Sequence, residues 1–68
     1  MTEQNELIHP GSYCEKINMI AQLWKINGVY KIRLTDFLDF ENDKYYTIPS
    51  TEQKNAEKVL QDFIMLNS

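Results

Sequence analysis

Two residues of types that often take part in catalysis or metal binding occur once each in this 68-residue sequence, as Cys14 and His9. A cysteine nucleophile needs a histidine in contact with it and usually a third residue that orients the imidazole. No such third residue is evident beside these two. One thiol and one imidazole are also too few for a zinc site, which takes four ligands. We therefore expect a buried thiol and a surface imidazole, and a protein that is not an enzyme, with no metal and no cofactor.

The densest charge in the sequence is a group of four carboxylates within eight residues. Their spacing does not match a calcium-binding loop, and no glycine is present to make its turn. Glycoside hydrolysis by paired carboxylates needs a cleft, which so short a chain can hardly enclose. Apolar groups between the acids can anchor in a partner's pocket while carboxylates pair with its basic side chains. The sequence thus predicts either a solvated loop or a patch for a basic partner protein, formed by Asp36, Phe37, Asp39, Phe40, Glu41, Asp43 and Tyr45.

Trp24, Lys31 and Arg33 suggest a second kind of surface. In the hairpin proposed below they share one face of a sheet, where an aromatic ring flanked by bases can stack nucleobases and hold phosphates. The alternative is that the Lys and Arg stems cover the indole, with some cation–π attraction. The net charge of −3 argues against phosphate backbones and anionic membranes as partners. Nucleic-acid binding is therefore the second hypothesis, after protein binding.

The length allows one small domain with a marginal core. A chain of this size buries only ~60% of the surface that its unfolded form exposes. Because a lone cysteine excludes an internal disulfide, self-association is the expected additional source of stability. No apolar run approaches the ~20 residues of a membrane-spanning helix. A single cysteine and no export signal predict a cytoplasmic protein, in the host cytoplasm if the gene is viral.

A β-hairpin is predicted around Asn27-Gly28, the preferred pair for a two-residue turn in which both residues have positive φ. Residues 17–24 alternate as a strand does, and residues 29–34 follow as a second strand. If Ile26 faces Val29, the remaining pairs place apolar residues on one face and polar or amphipathic ones on the other. A one-residue slip would mix the faces, so this agreement supports the register. The predicted pairs are Leu23 with Ile32, Ala21 with Leu34, Trp24 with Lys31, and Gln22 with Arg33.

The rest of the sequence predicts a third strand and a helix. Residues 44–48 are rich in strand formers and follow an acidic connection at residues 35–43. Ser50 and Gln53 match a capping box, which predicts a helix from Ser50 to Leu66. Glu52 would then lie in the first turn, near the positive end of the helix dipole. The expected buried stripe of the helix is Ala56, Val59, Leu60 and Phe63.

The predicted fold class is α+β: a three-stranded antiparallel β-meander with a C-terminal helix packed on one face, in the order β-β-β-α. Residues 1–11 are expected to form a flexible N-terminal tail that ends in a Pro-Gly turn, and residues 12–68 a single domain. The order α-β-β-α, with residues 13–26 helical, is an alternative. Its basis is a capping-box match of Ser12 with Glu15 and a helical spacing of apolar residues.

The end of the predicted helix has four consecutive apolar residues, from Phe63 to Leu66, which cannot all lie in one stripe. Exposed apolar patches often mark contacts between proteins. Ile64, Met65 and Leu66 are therefore a candidate oligomer interface, for instance of a homodimer. The alternative is a wide stripe with a frayed end.

The segment from Gln22 to Ile64 resembles the small modules of three strands and a helix that precede phage-type tyrosine integrases. The likeness lies in the Trp24-Lys25-x-Asn27-Gly28-x-Tyr30 turn and in the Ser50-x-x-Gln53…Ala56-Glu57 helix opening, and it spans about two-thirds of the chain. The resemblance implies the same architecture. Those modules bind DNA through basic residues on the sheet, whereas here acids join the second and third predicted strands.

These observations together predict a small non-enzymatic binding protein that occupies a surface of another macromolecule. The expected form is a regulator or inhibitor of the kind that mobile elements encode, including phage proteins that block host enzymes or defence systems. A nucleic-acid-binding module that uses the outer sheet face, and a structural homo-oligomer, are the alternatives.

Overall fold

The computed structural model describes residues 4–36 and 38–68, without the Phe40 side chain. Within these residues the fold is α+β, with one antiparallel sheet whose four strands follow in sequence order, and a C-terminal helix. No helix in the described ranges is long and apolar enough to cross a membrane. The elements are β1 (Asn5–Cys14), β2 (Met19–Ile26), β3 (Val29–Asp36), β4 (Asp39–Thr47) and α1 (Gln53–Leu66).

The β2–β3 hairpin has the predicted register. Ile26 pairs with Val29 across a two-residue turn, in which Asn27 has a φ of 50° and Gly28 a φ of 82°. These positive values explain the Asn-Gly pair, because few other residues adopt them without strain. The four pairs predicted farther from the turn are all present. This hairpin also shows that the helical alternative for residues 13–26 is wrong, because Met19–Ile26 is paired with strands on both sides.

The prediction of three strands is wrong, because Asn5–Cys14 forms a fourth strand along β2. It includes Asn5 to Gly11, which were assigned to the N-terminal tail. Pro10 and Gly11 favour a turn in sequence, but here they lie at an irregularity between the His9–Leu23 and Ser12–Ala21 pairs, where β1 has one extra residue. The Gly11 N–H donates to His9 Nδ1 at 2.9 Å. A bulge can hold a proline and a left-handed glycine within an edge strand.

The helix begins later than predicted. Its N-cap residue is Glu52, without a side-chain capping hydrogen bond, and the first turn therefore contains no acid. Ser50 Oγ, three residues before the first helical residue, instead accepts a hydrogen bond from the Glu52 N–H at 3.2 Å. The Ser50 capping box is thus wrong: Ser50 shapes the turn after Pro49, a role that serine hydroxyls often take.

The core lies between the sheet and one face of α1. Among the described side chains, its buried residues come from β1, β2, β3, α1 and the segment after β4: Cys14, Ala21, Leu23, Tyr30, Ile32, Leu34, Ile48, Ala56 and Leu60. Phe63 packs against this cluster as predicted, and Ile64 does so as well. Val59 was expected in the buried stripe but is 41% exposed. Only a narrow face of α1 contacts the sheet. The residues four and seven positions after Ala56 lie on that face, whereas Val59 lies at its margin.

The helix covers only part of the sheet. It packs against β1, β2 and β3, whereas its backbone does not approach that of β4. Its C-terminal end is tied to the turn between β1 and β2, because the Lys16 N–H donates to the Asn67 carbonyl at 2.9 Å. The Lys16 ammonium also lies 3.4 Å from the Leu66 carbonyl. One face of the sheet is therefore covered over three strands, and the opposite face is open.

Gly11 offers a test of the β1–β2 pairing. Its φ is +64°, and a Cβ placed there would lie 1.6 Å from the Ala21 carbonyl oxygen. We expect Gly11→Ala to lower the free energy of unfolding by about 3 kcal/mol or more, since both backbones must move. Gly28→Ala is the matched control: its φ is +82° but no atom lies within 4 Å, so its loss is expected at about 1 kcal/mol. Urea unfolding followed by Trp24 fluorescence measures both, and equal losses would contradict the bulge.

Candidate functional site

The open face of the sheet brings together the aromatic and basic residues singled out in the sequence. Gln22 pairs with Arg33, and Trp24 pairs with Lys31, so all four side chains project from the same face. Tyr45 joins them because it pairs with Arg33 from the other side. This face also exposes large apolar side chains from three strands: Leu7, Tyr13, Val29 and Tyr45.

Arg33 and Asp43 form an ion pair on this face, which we call the Arg33–Asp43 pair. Arg33 Nε donates to Asp43 Oδ2 at 2.9 Å, and Arg33 Nη2 contacts the same oxygen. The guanidinium carbon lies 5.4 Å from the centre of the Trp24 ring, and Trp24 Nε1 donates to Gln22 Oε1 at 3.0 Å. The Asp43 side chain is only 12% exposed. Asp43 was predicted to face a partner, but its carboxylate is instead bound within the chain.

The remaining acids lie at the end of the β3–β4 hairpin. Asp36 pairs with Asp39, so the acidic segment is not the connection that was predicted but the place where two strands meet. Asp36 Oδ1 accepts a hydrogen bond from the Leu38 N–H at 2.9 Å, and Asp39 Oδ2 accepts one from Asn42 Nδ2 at 2.6 Å. Leu38 is 87% exposed between them. We call Asp36, Leu38, Asp39 and Glu41 the hairpin end.

Two of the predicted partner-binding residues lie wholly or partly outside the described part of the chain. Phe37 lies outside the described residues, and so does the side chain of Phe40. Tyr45 is described, but it lies on the open face beside Arg33 and not at the hairpin end. The predicted patch is thus divided between a hairpin end with three acids and a sheet face where Asp43 is already paired.

Sequence reasoning missed the Arg33–Asp43 pair and included Asp43 among the free acids. Opposite charges ten positions apart can meet across a hairpin only if the two strands are in register. In β4 the register shifts between the Leu34–Lys44 and Asp36–Asp39 pairs, where β4 has several more residues than β3. Counting residues outward from the turn therefore does not place Asp43 beside Arg33. The opposite charges of the two residues were the one indication of the pair in the sequence.

The helix end is divided between the core and solvent. Ile64 packs against the core, whereas Met65 is 76% and Leu66 73% exposed. Beside them, a shallow groove of about 260 Å³ runs between the last turn of α1 and β4, with Phe63 and Tyr46 on its walls. Of the three residues predicted as an oligomer interface, two are therefore accessible to a second protein.

The Cys14 thiol and the His9 imidazole each contact a backbone group of β1. Cys14 is fully buried, and its thiol lies 3.9 Å from the Ser12 carbonyl oxygen. Burial raises the pKa of the Cys14 thiol, outweighing the opposing hydrogen bond from the Ala21 backbone, so the reactive thiolate is disfavoured. His9 Nδ1 is occupied by the Gly11 N–H. Among the described residues, no three His, Cys, Asp or Glu side chains are placed to hold a metal ion.

Comparison with protein-family models, with curated proteins and with solved structures finds no match to this chain.

The division of the acids between pairing and exposure gives a stability prediction. Asp43→Asn leaves the Arg33 charge without its counter-ion in a partly buried place, so we expect it to lower the free energy of unfolding by about 1–2 kcal/mol. Asp39→Asn and Glu41→Gln, at exposed positions, are expected to stay within about 0.5 kcal/mol of the parent. Urea denaturation measures all three. A neutral Asp43→Asn, or an equal loss at Asp39, would contradict the assignment.

Proposed function

We propose that this chain is a non-enzymatic binding protein that occupies a surface of a basic partner protein through the hairpin end. The observation that supports it is Leu38, which is 87% exposed at the tip of a hairpin. Asp39 and Glu41 are exposed beside it. A regulator or inhibitor would use such a protruding tip to enter a site on its target, as expected for small proteins of mobile elements that act in the cytoplasm.

The apolar and acidic parts of the hairpin end have different roles in this proposal. Complete burial of the Leu38 side chain in a partner's pocket is worth about 1.5–3 kcal/mol. Asp39 and Glu41 attract basic residues over a distance, which raises the rate of association and makes it sensitive to salt. The hydrogen bonds of Asp36 with the Leu38 N–H and of Asp39 with Asn42 hold the turn before binding, which reduces the entropy lost on association.

The open sheet face supports a nucleic-acid partner less well. Arg33 is one of the two bases that were expected there, and its charge is already paired with Asp43. Binding to a phosphate backbone depends on uncompensated positive charge, and the chain as a whole has a net charge of −3. Trp24 and Lys31 share the open face, which supports the nucleic-acid hypothesis. The charge of Arg33 on the same face is already neutralised by a carboxylate, which weakens it.

The decisive experiment compares two variants that change the net charge equally. Asp39→Asn with Glu41→Gln removes the exposed acids of the hairpin end, while Glu15→Gln with Asp62→Asn removes two exposed acids elsewhere. A partner captured by the parent from host extract is purified and titrated against both. We expect the hairpin variant to bind at least ~10-fold more weakly, about 1.4 kcal/mol, and the control variant to bind as the parent does.

Leu38→Ser extends the same experiment to the apolar contact and is expected to weaken binding by a similar factor. Unfolding curves of all variants confirm that stability is retained. Equal binding by the parent and the hairpin variants would contradict the proposal.

A gel shift at low salt tests the nucleic-acid alternative. Single- and double-stranded oligonucleotides are expected to run unretarded with the protein at ~50 µM. Non-specific affinity for nucleic acid comes from basic residues that neutralise phosphates, and few uncompensated ones lie on this face. Retardation that Trp24→Ala abolishes would favour the sheet face over the hairpin end.

A further inference from the structure

The two edges of the sheet differ in how well they can accept another strand. At the β1 edge the register is broken twice, and the strand contains Pro10, which has no N–H, and Gly11 with positive φ. Such features protect an edge from pairing. At the β4 edge, Lys44 to Thr47 pair with β3 without a break. This segment is rich in strand-forming residues, and the backbone of α1 does not approach β4. The β4 edge is therefore the one that is open to another strand.

The backbone of this edge presents hydrogen-bonding groups outward at known positions. The Ile48 N–H donates to the Tyr30 carbonyl at 2.9 Å, which places this pair among the hydrogen-bonded pairs of the β3–β4 ladder. Because such pairs alternate in an antiparallel ladder, Lys44 and Tyr46 point their backbone groups toward β3. Tyr45 and Thr47 point theirs away from the sheet. No strand pairs with that side of β4 within the described residues.

We propose that β4 pairs antiparallel with β4 of a second copy of this chain, with the twofold axis at Tyr45, so that the two sheets become continuous. A central Tyr45 faces its own symmetry mate. Thr47 of one copy then faces Asp43 of the other, and the outward backbone groups of both strands are paired. On the helix side, Lys44 faces Tyr46 of the second copy, where its ammonium can lie over the ring.

Neighbouring registers are less favourable for physical reasons. Centring the axis on Asp43 places two carboxylates directly opposite each other, which is destabilising. Centring it on Thr47 brings Tyr45 opposite Pro49, which has no N–H to donate. Centring it on Lys44 places two ammonium groups opposite each other, and centring it on Tyr46 places Asp43 opposite Pro49. An axis that falls between two residues would oppose outward backbone groups to inward ones and leave both unpaired. Tyr45 is thus the centre that satisfies the most groups.

The charge distribution favours a second copy over a foreign strand. Asp43 is already paired with Arg33, so Lys44 is the uncompensated charge between residues 43 and 47, and in the twofold pair it meets a tyrosine. Antiparallel pairing also separates the hairpin ends: Glu41 of one copy lies ~26 Å along the strands from Glu41 of the other, at about 3.3 Å per residue. Parallel pairing would bring these acids together. The segment is therefore complementary to itself in one orientation.

The twofold position of Tyr45 gives a specific test. Tyr45→Lys alone, or Tyr45→Glu alone, opposes like charges across the axis, whereas a mixture of the two variants opposes unlike charges. Sedimentation between ~1 and ~500 µM is expected to show a dimer for the parent and at least ~10-fold weaker self-association for each variant, a loss of about 1.4 kcal/mol. The mixture should restore dimers that contain one copy of each. Val29→Lys and Val29→Glu, at a half-exposed position at the turn end of β3 and outside the edge strand, should dimerise as the parent does.

A second pair of variants tests the backbone contact. Thr47→Pro removes an outward N–H without removing a bond to β3, so it should abolish the dimer, while Thr47→Ala should retain it. Circular dichroism reports whether Thr47→Pro is folded, and if it is not, the Tyr45 mixture decides. Leu66→Glu should dimerise as the parent does. The proposal is overturned by a parent that is monomeric throughout, by failure of the mixture to dimerise, by a folded Thr47→Pro that dimerises, or by a monomeric Leu66→Glu.

Discussion

The register of the β2–β3 hairpin is the constraint on which the rest of this structure depends. The turn of Asn27 and Gly28 pairs Ile26 with Val29, and every later pair follows from that one. Side chains alternate between the faces, so a shift of β3 by one residue against β2 would move Ile32 to the solvent face and bring Arg33 under the helix. Both the core and the open face are therefore set by two residues with positive φ.

A single helix of 14 residues cannot cover a sheet of four strands, and this mismatch determines which surfaces are left for partners. The helix is placed over β1, β2 and β3, where Ala56 and Leu60 bury completely. β4 is held by its ladder with β3 and by the Arg33–Asp43 pair, on the face opposite the helix. Among the described side chains, the most exposed apolar ones are Leu38, at the turn between β3 and β4, and Met65, in the last turn of the helix. The buried core and the surfaces proposed for binding thus lie in different parts of the fold.

Sequence reasoning succeeded where local rules were sufficient. The Asn-Gly turn and the alternation on both sides of it predicted the hairpin register, and the spacing of Ala56, Leu60 and Phe63 predicted the buried side of the helix. It failed where the outcome depended on distant backbone. The sequence predicts a turn at Gly11, whereas the structure places it in a strand. Glycine is needed there because of the close approach of the Ala21 backbone, which only the folded pairing creates.

The candidate site shows the same limit. The acids could be located from the sequence, and the exposure of Asp39 and Glu41 fits the expected patch. Asp43 reaches Arg33 because β4 contains extra residues where its register with β3 shifts. The sequence alone does not indicate where that shift occurs. Similarly, the open edge at β4 becomes evident only after β1 is known to form the other edge.

The bond between Lys16 and Asn67 has a consequence for how the chain folds. Each strand pairs with its neighbour in sequence, so the three hairpins can close over short loops, which is a fast process. Contacts between α1 and the turn after β1 must close a loop of roughly three-quarters of the chain, at a greater entropic cost. We therefore expect the sheet to assemble by sequential zipping and the helix to dock late. Until the helix docks, Cys14 and the rest of the apolar face would remain open to solvent, and this interval is the one in which the chain is most prone to aggregate.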